Sequence, residues 1–404
     1  MLFILVACEN EYEDTHKFLR PYYLYKDYPI YLDAREILVD IQIKPSIHPD
    51  ATFKIASNDR YIFVGEKMKG IHVYEKTDEF HANPLCFIEC KHLKVFDVAD
   101  NILYCNNFAD LLIIDAEDPL KAKIEHREKD YFNQYSYSNY NMPHIYANNI
   151  DVYQIGYKTV VLEGKESDTE PAPDFSDYDQ LYTNFIVKEI PNDIQLDMPY
   201  TGITNVEENI FTFGINNLAQ CSYTSDGIKI TQSGINIPNY LYTLPGGNLQ
   251  YKDGMIFIIG NSGFVYLDYL NMMMQSQNYY NWYQPLDVVS LKVPTNGLFI
   301  MGRSYVVDGI IIGANYGGIS EIPWSVSGVT SLVNVNDTIL ALGNQLTLYQ
   351  FYMQYTTRYT KQVKQYSNIS GTSMQKDGDR LIVANRQGLS FYDIRDLKNI
   401  TLIP

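Results

Sequence analysis

All seven histidines, His16, His48, His72, His81, His92, His126 and His144, lie in the first 144 residues. A histidine-based metal centre or catalytic triad would have to be assembled from the N-terminal third alone. The cysteines after the N-terminus, Cys86, Cys90, Cys105 and Cys221, form no C-x-x-C pair and have no histidine at zinc-finger spacing. Cys86 and Cys90 stand four apart in an expected strand, about 13 Å at ~3.3 Å per residue, too far for a mutual disulfide, so these thiols are expected to be buried and free. The nucleophile elbow G-x-S-x-G, the zinc helix H-E-x-x-H, the P-loop and the dinucleotide G-x-G-x-x-G are all missing. An acidic residue recurs at Asp59, Asp100, Asp253, Asp308, Asp337 and Asp379, each time before an apolar run. That context suits a turn residue bonding nearby amides better than catalysis or calcium, and Asp377-Gly378-Asp379 lacks the closing Glu of a calcium loop. No catalytic residue, metal or cofactor is assigned.

The groups suited to recognition are aromatic. Tyr279, Tyr280, Trp282 and Tyr283 make the run YYNWY, and Tyr135, Tyr137 and Tyr140 lie in the Tyr/Asn segment Tyr131 to Tyr146. Flat apolar rings interleaved with Asn, Gln and Ser suit protein contact or stacking on sugars. The alternative is that such rings pack seams between structural units, the role expected of Trp324.

The elements that must carry these groups are strands. A pattern of turn residue, alternating apolar positions, polar turn and second apolar run starts at Asp59, Asp100, Glu208, Asp253, Asp308, Asp337 and Asp379. Each copy predicts a β-hairpin, with further apolar strands flanking it (KVFDVA, TSLVNV, PLCFIEC, NITLI). Three to four antiparallel strands per copy, at a spacing mostly near 40 to 50 residues, predict an all-β propeller of about seven blades, with six to eight as the range. The short step from Asp308 to Asp337 predicts a reduced blade. The long step from Asp100 to Glu208 holds an insertion at about 131–190, including a hairpin-like DVYQIGYKTVVLE and the acidic loop Lys165 to Gln180. The disc is expected to close by pairing of its terminal strands. No segment keeps a helical stripe for three turns.

Composition narrows the setting. The 404 residues carry a net charge of −17, which repels a phosphate backbone and excludes nucleic acid as a favoured partner. Tyrosine is unusually frequent, with 36 copies, and suits strands and contact surfaces. No stretch approaches the ~18 apolar residues of a membrane-spanning helix.

The first residues, MLFILVAC, resemble the lipobox of bacterial lipoproteins in Leu5-Val6-Ala7-Cys8, so Cys8 is the expected lipidation site. A complete signal would need residues upstream of Met1. The acidic Glu9-Asn10-Glu11-Tyr12-Glu13-Asp14 resembles the export signal of Bacteroidota surface lipoproteins. On this reading residues 1–8 are the truncated signal and lipobox, 9–35 a tether, and 36–404 a single propeller domain.

The first two copies, RYIFVGEKMKGIHVYEKTD and FDVADNILYCNNFADLLIIDAEDP, resemble the LVIVD-repeat β-propeller lipoproteins of Bacteroidota, with Leu111-Leu112-Ile113-Ile114-Asp115 at the place of the namesake pentapeptide. The resemblance implies an outer-membrane, surface-exposed propeller held to the membrane by lipid on Cys8, and supplies no catalytic residues. The function expected is a non-enzymatic binding or scaffold module with a protein or glycan partner. The alternative is a carbohydrate-active enzyme or glycan-binding subunit of a surface complex.

Overall fold

The computed structural model describes residues 22–33, 39–132 except 79 and 130, 145–147, 150–164, 186–187 and, apart from connections between strands, 202–403. The chain divides into two compact units. The first comprises residues 1–39 and 135–197, the second 40–134 and 198–404.

In the first unit, strand Tyr22–Asp33 pairs antiparallel with the 15-residue strand Ile150–Gly164, from Tyr22 opposite Gly164 to Asp33 opposite Val152. Ile145–Ala147 adds to the outer side of Ile150–Gly164, and Ile186–Val187 pairs parallel with Tyr31 and Leu32. Two sequence expectations are corrected. Tyr22–Asp33, assigned to a tether, is a strand, and its alternation Tyr-Tyr-Leu-Tyr-Lys-Asp-Tyr-Pro-Ile-Tyr supplies the aromatic and β-branched residues that strands favour. DVYQIGYKTVVLE is one long strand rather than a hairpin, because it finds its partner more than a hundred residues upstream. The acidic segment Lys165 to Gln180 lies outside the described residues.

Among the described residues, the second unit contains seven antiparallel sheets, six of four strands and one of five. Their leading strands are Thr52–Ser57, Phe96–Ala99, Gly202–Val206, Asn248–Lys252, Tyr283–Leu291, Ser331–Val335 and Ser373–Asp377. Each leading strand neighbours the next in this order, and Ser373–Asp377 neighbours Thr52–Ser57. In six sheets the hairpin expected from sequence forms the second and third strands, for example Tyr61–Glu66 with Gly70–Lys76 and Ile102–Asn107 with Asp110–Asp115. The fifth differs. Asp308–Asn315 and Gly318–Ile322 are its third and fourth strands, and Gly297–Ser304 is the second. Second strands therefore start at Met255, Gly297, Thr338 and Arg380, an even spacing. The fifth sheet is complete, and the expected reduced blade was a match displaced by one strand.

Where their side chains are described, the middle strands are buried on both faces, which explains their continuous apolar runs. In Tyr61–Glu66, Phe63 packs toward the second sheet with Phe96, Leu103 and Leu112, whereas Ile62 and Val64 pack toward the seventh with Ile382, Ala384 and Phe391. Tyr104, Leu111 and Ile113 meet Ile203 and Ile210 of the third sheet. Phe211 and Phe213 meet Ile256 and Ile258 of the fourth, and the sixth and seventh share Leu340, Leu348, Leu381 and Val383. Each sheet can bury both faces only if a neighbour covers each side.

The first and seventh sheets meet without exchanging a strand. Gln42–Pro45 pairs with Ala82–Glu89, and Thr401–Leu402 pairs with Gly388–Asp393, each within its own sheet. This corrects the expected closure by terminal pairing. The contact is made by side chains: the apolar cluster above, and Thr52 Oγ1 hydrogen-bonded with Thr372 Oγ1 and, at 3.3 Å, with Ser373 Oγ.

The turn role of the recurring acidic residues is carried by the backbone. The residue opening these two-residue turns is left-handed at Asp100 (φ 52°), Glu207 (φ 49°), Asn336 (φ 56°) and Gly378 (φ 59°), so the strained position often precedes the recurring Asp. Among the described residues, side-chain-to-amide bonds of the expected kind are found at Asp115, accepting from Glu117 N at 3.0 Å, and at Asp393, accepting from Arg395 N at 3.0 Å. Asp115 is the last residue of the LVIVD-like pentapeptide.

Candidate functional site

Polar residues interrupt the apolar leading strands at a few places, and one of these joins three sheets. Lys54 Nζ of the first sheet lies 2.6 Å from Asp97 Oδ2 of the second and 3.4 Å from the Ile203 carbonyl of the third. Asn205 N donates to Asp97 Oδ2 at 2.8 Å, Val98 N donates to Asp97 Oδ1 at 2.9 Å, and Asn205 Nδ2 donates to the Val98 carbonyl at 2.8 Å. The Asp97 side chain is 10% exposed and that of Lys54 27%. A carboxylate with an ammonium and two amides already on it is arranged to hold strands, not to exchange protons with a substrate.

A second polar group sits where the turn at 66–70, the connection at 90–95 and the turn at 107–110 meet the first two sheets. Glu66 is buried at the end of its strand and accepts from Lys69 Nζ, with His72 Nε2 2.7 Å from its other oxygen. Burial opposes ionisation of Glu66, but the bonds from Lys69 and His72 hold its carboxyl below the usual range; burial pushes the His72 imidazole down. Asn106 acts as a clamp, accepting from Lys94 N and Val95 N at 2.8 Å and donating to the His92 and Phe108 carbonyls at 3.2 and 3.0 Å. Arg127 bridges Asp110 Oδ2 (2.8 Å) and Asn107 Oδ1 (3.3 Å). This network supports backbone that the side chains alone disfavour: Met68, His92 and Phe108 are left-handed at φ 67°, 62° and 57°.

His92 is 5% exposed, packs edge-on to Phe108 at 6.2 Å, and has no hydrogen-bond partner on either ring nitrogen. Burial, aided by Lys91, pushes its pKa down to about 4. The unfolded chain takes up the proton near pH 6.5, the folded chain only near pH 4, so this residue's contribution is complete above about pH 6.5 and is lost as pH falls toward 4. We expect stability to fall by about 3 kcal/mol across that window from this group. His92→Leu should flatten the slope in denaturant titrations at pH 4 to 7, and an unchanged slope would refute the assignment. Lys94 next to it is lowered to about 8 by burial and by Lys67.

Of the other described histidines, His81 pairs with Asp78 and His126 with Glu128, and His48 is exposed. Among the described residues no group of three His, Cys, Asp or Glu is placed to hold a metal ion. Sequence reasoning passed over Lys54, Asp97 and Asn106. Their only linear signal is a polar residue inside an apolar strand, and their partners come from strands far apart in sequence.

Of the aromatic residues singled out from sequence, Tyr279 ends strand Met273–Tyr279 of the fourth sheet and Tyr283 begins Tyr283–Leu291 of the fifth. They therefore flank the same kind of sheet-to-sheet connection as residues 90–95. Cys8, Tyr135, Tyr137, Tyr140, Tyr280, Trp282 and Trp324 lie outside the described residues. Tyr131 is in view and takes the seam-packing role: its hydroxyl is 2.5 Å from Thr212 Oγ1 of the third sheet and its ring meets Phe132 edge-on at 4.9 Å.

No family model matches the chain, and no curated protein does. One solved structure to which it is similar is the extracellular domain of a proposed one-component system from B. thetaiotaomicron, at 12% identity and a TM-score of 0.42. The match covers 87% of this chain and 39% of that one, so the chain spans well under half the length of the protein it matches. Among the described residues no helix is long and apolar enough to cross a membrane.

Proposed function

We propose that the second unit is a seven-bladed β-propeller and that the protein is a non-enzymatic binding or scaffold module of the cell envelope, anchored by lipid on Cys8. The observation that carries this reading is the cyclic neighbour order of the seven leading strands, from Thr52–Ser57 round to Ser373–Asp377 and back. Such a body is rigid because each sheet is gripped on both faces, and it presents its connections at two ends as fixed platforms. Kinship with the LVIVD-repeat lipoproteins is supported by the pentapeptide-like Leu111 to Asp115, which forms a buried third strand ending in an Asp that caps the following turn. The YYNWY connection, bracketed by Tyr279 and Tyr283, is the contact loop, with a protein or glycan partner. Asp97, occupied by Lys54 and backbone amides, is a structural carboxylate and not a candidate for the proton transfer that glycan cleavage needs.

Two measurements test this. The wild-type chain should sediment with membranes and carry a lipid mass on Cys8, while Cys8→Ala should move to the soluble fraction; soluble wild-type protein would refute the anchor. On a glycan array, saturable binding lost in Trp282→Ala identifies a glycan partner. Absence of binding leaves protein contact, to be sought by pull-down from envelope extracts, and hydrolysis of any arrayed glycan would overturn the non-enzymatic reading.

A further inference from the structure

Cys90 and Cys105 come together across the seam between the first two sheets. Cys90 follows strand Ala82–Glu89 of the first sheet, and its position is set by its own N–H, which donates to the Lys69 carbonyl at 2.9 Å. Cys105 lies in strand Ile102–Asn107 of the second sheet. Their side chains share one apolar cluster with Phe63, Leu93 and Phe96, at 2% and 0% exposure. Cys90 Sγ donates at 3.7 Å to the carbonyl of Asn106, the residue after Cys105, and both cysteines are free thiols. The remaining described cysteines are differently placed. Cys86 Sγ donates to the Pro119 carbonyl at 3.7 Å, and Cys221 belongs to the seam between the second and third sheets.

We propose that Cys90 and Cys105 are a disulfide-forming pair that closes when the chain folds in an oxidising compartment and staples the first two sheets together. The part of this that concerns the compartment rests on the envelope reading above; the pairing itself does not. In the reaction both S–H bonds break and one S–S bond forms. The two electrons and two protons pass to an oxidised disulfide, such as glutathione disulfide or an exported dithiol oxidase, by way of a mixed disulfide. The neighbouring Cys90 and burial hold Cys105 as a neutral thiol, and thiolate is the reactive form, so the bridge forms before the seam closes rather than in the finished fold. Once formed it ties the end of one sheet to the middle of the next across a short loop.

The full chain, unfolded in guanidinium with dithiothreitol, is refolded in mixed reduced and oxidised glutathione, quenched with acid and labelled in denaturant with a maleimide polymer. In chain made without export, so that Cys8 carries no lipid, three of the five cysteines should take label after refolding in glutathione and five in a dithiothreitol control. Digestion with trypsin and a glutamyl endopeptidase cuts at Glu89 and at Lys91 and Lys94, separating Cys86, Cys90 and Cys105; the expected product is a peptide pair joined through Cys90 and Cys105. The bridged protein should melt about 5 °C above the reduced one. Five free thiols after refolding, or a bridge through Cys86 or Cys221, would overturn the proposal. Cys86→Ser and Cys221→Ser retain the pair and must still bridge, which keeps the test decisive if Cys90→Ser does not fold. Acid-trapped protein from its own cells separates the two readings: bridging on refolding with free thiols in the cell removes the envelope assignment and leaves the pair.

Discussion

Ile382→Ala is expected to lower the free energy of unfolding by about 2–5 kcal/mol. Ile382 is fully buried in the seam between the seventh and first sheets, against Ile55, Ile62, Val64 and Tyr74. Truncation removes three carbons from a site bounded by two sheets, each already packed on its other face, so the surroundings cannot collapse into the space. This seam carries an added demand. The sheets on either side of it share no strand, and side chains supply the whole attraction along with the hydroxyl contacts of Thr52. Urea unfolding should show the loss, and hydrogen exchange should rise first in Gly388–Asp393 and Thr52–Ser57. Ile256→Ala, in the seam of the third and fourth sheets, is the matched comparison. A loss below 1 kcal/mol at Ile382, with a full loss at Ile256, would mean that the seventh and first sheets do not meet in solution.

Asp97→Ala is expected to cost about 2–4 kcal/mol. The substitution removes the acceptor for Lys54, Asn205 N and Val98 N together, leaving an ammonium and two amides with a partner missing beside leading strands of three sheets. Lys54→Met should cost less, because its side chain is more than a quarter exposed and its methylenes can be replaced by those of methionine. A double-mutant cycle should return about 1–2 kcal/mol for the pair, weakened by salt through the exposed lysine. If Asp97→Ala and Asp97→Asn are both neutral in urea, the three-sheet staple is not a stabilising element.

The strands were legible because their signal is local. An apolar run buried on both faces, such as DRLIVAN or DTILAL, reads as a strand whatever lies beside it, and a polar pair between two such runs reads as a turn. Seven hairpins could be located in this way. Frame within a repeat was less secure: in the fifth sheet four similar strands follow one another, and nothing local marks which is second. The fourth strands and the five-stranded first sheet are pairings whose register depends on the partner.

The candidate site was much less legible. Lys54 and Asp97 are 43 positions apart and Asp97 and Asn205 are 108 apart. Neither separation has a spacing rule, because they are set by how many residues each sheet and the intervening first unit consume. Tyr22–Asp33 shows the same limit. Its composition is that of a strand, yet without sight of Ile150–Gly164 nothing distinguished it from a linker, since an extended segment becomes a strand only when a second one satisfies its amides. Cys90 and Cys105 were each recognisable as buried thiols, while their meeting in one apolar cluster follows from the stacking of two sheets.

The sequence by itself determined the all-β character, the seven hairpins and the burial of their runs, because side-chain alternation and turn chemistry act over a few residues. Only the tertiary structure decided which strands pair over long range, that the first and seventh sheets meet through side chains rather than a shared strand, and which polar residues come together. Those outcomes depend on contacts between segments tens to hundreds of residues apart, whose free energy is realised only once both faces of every sheet are covered.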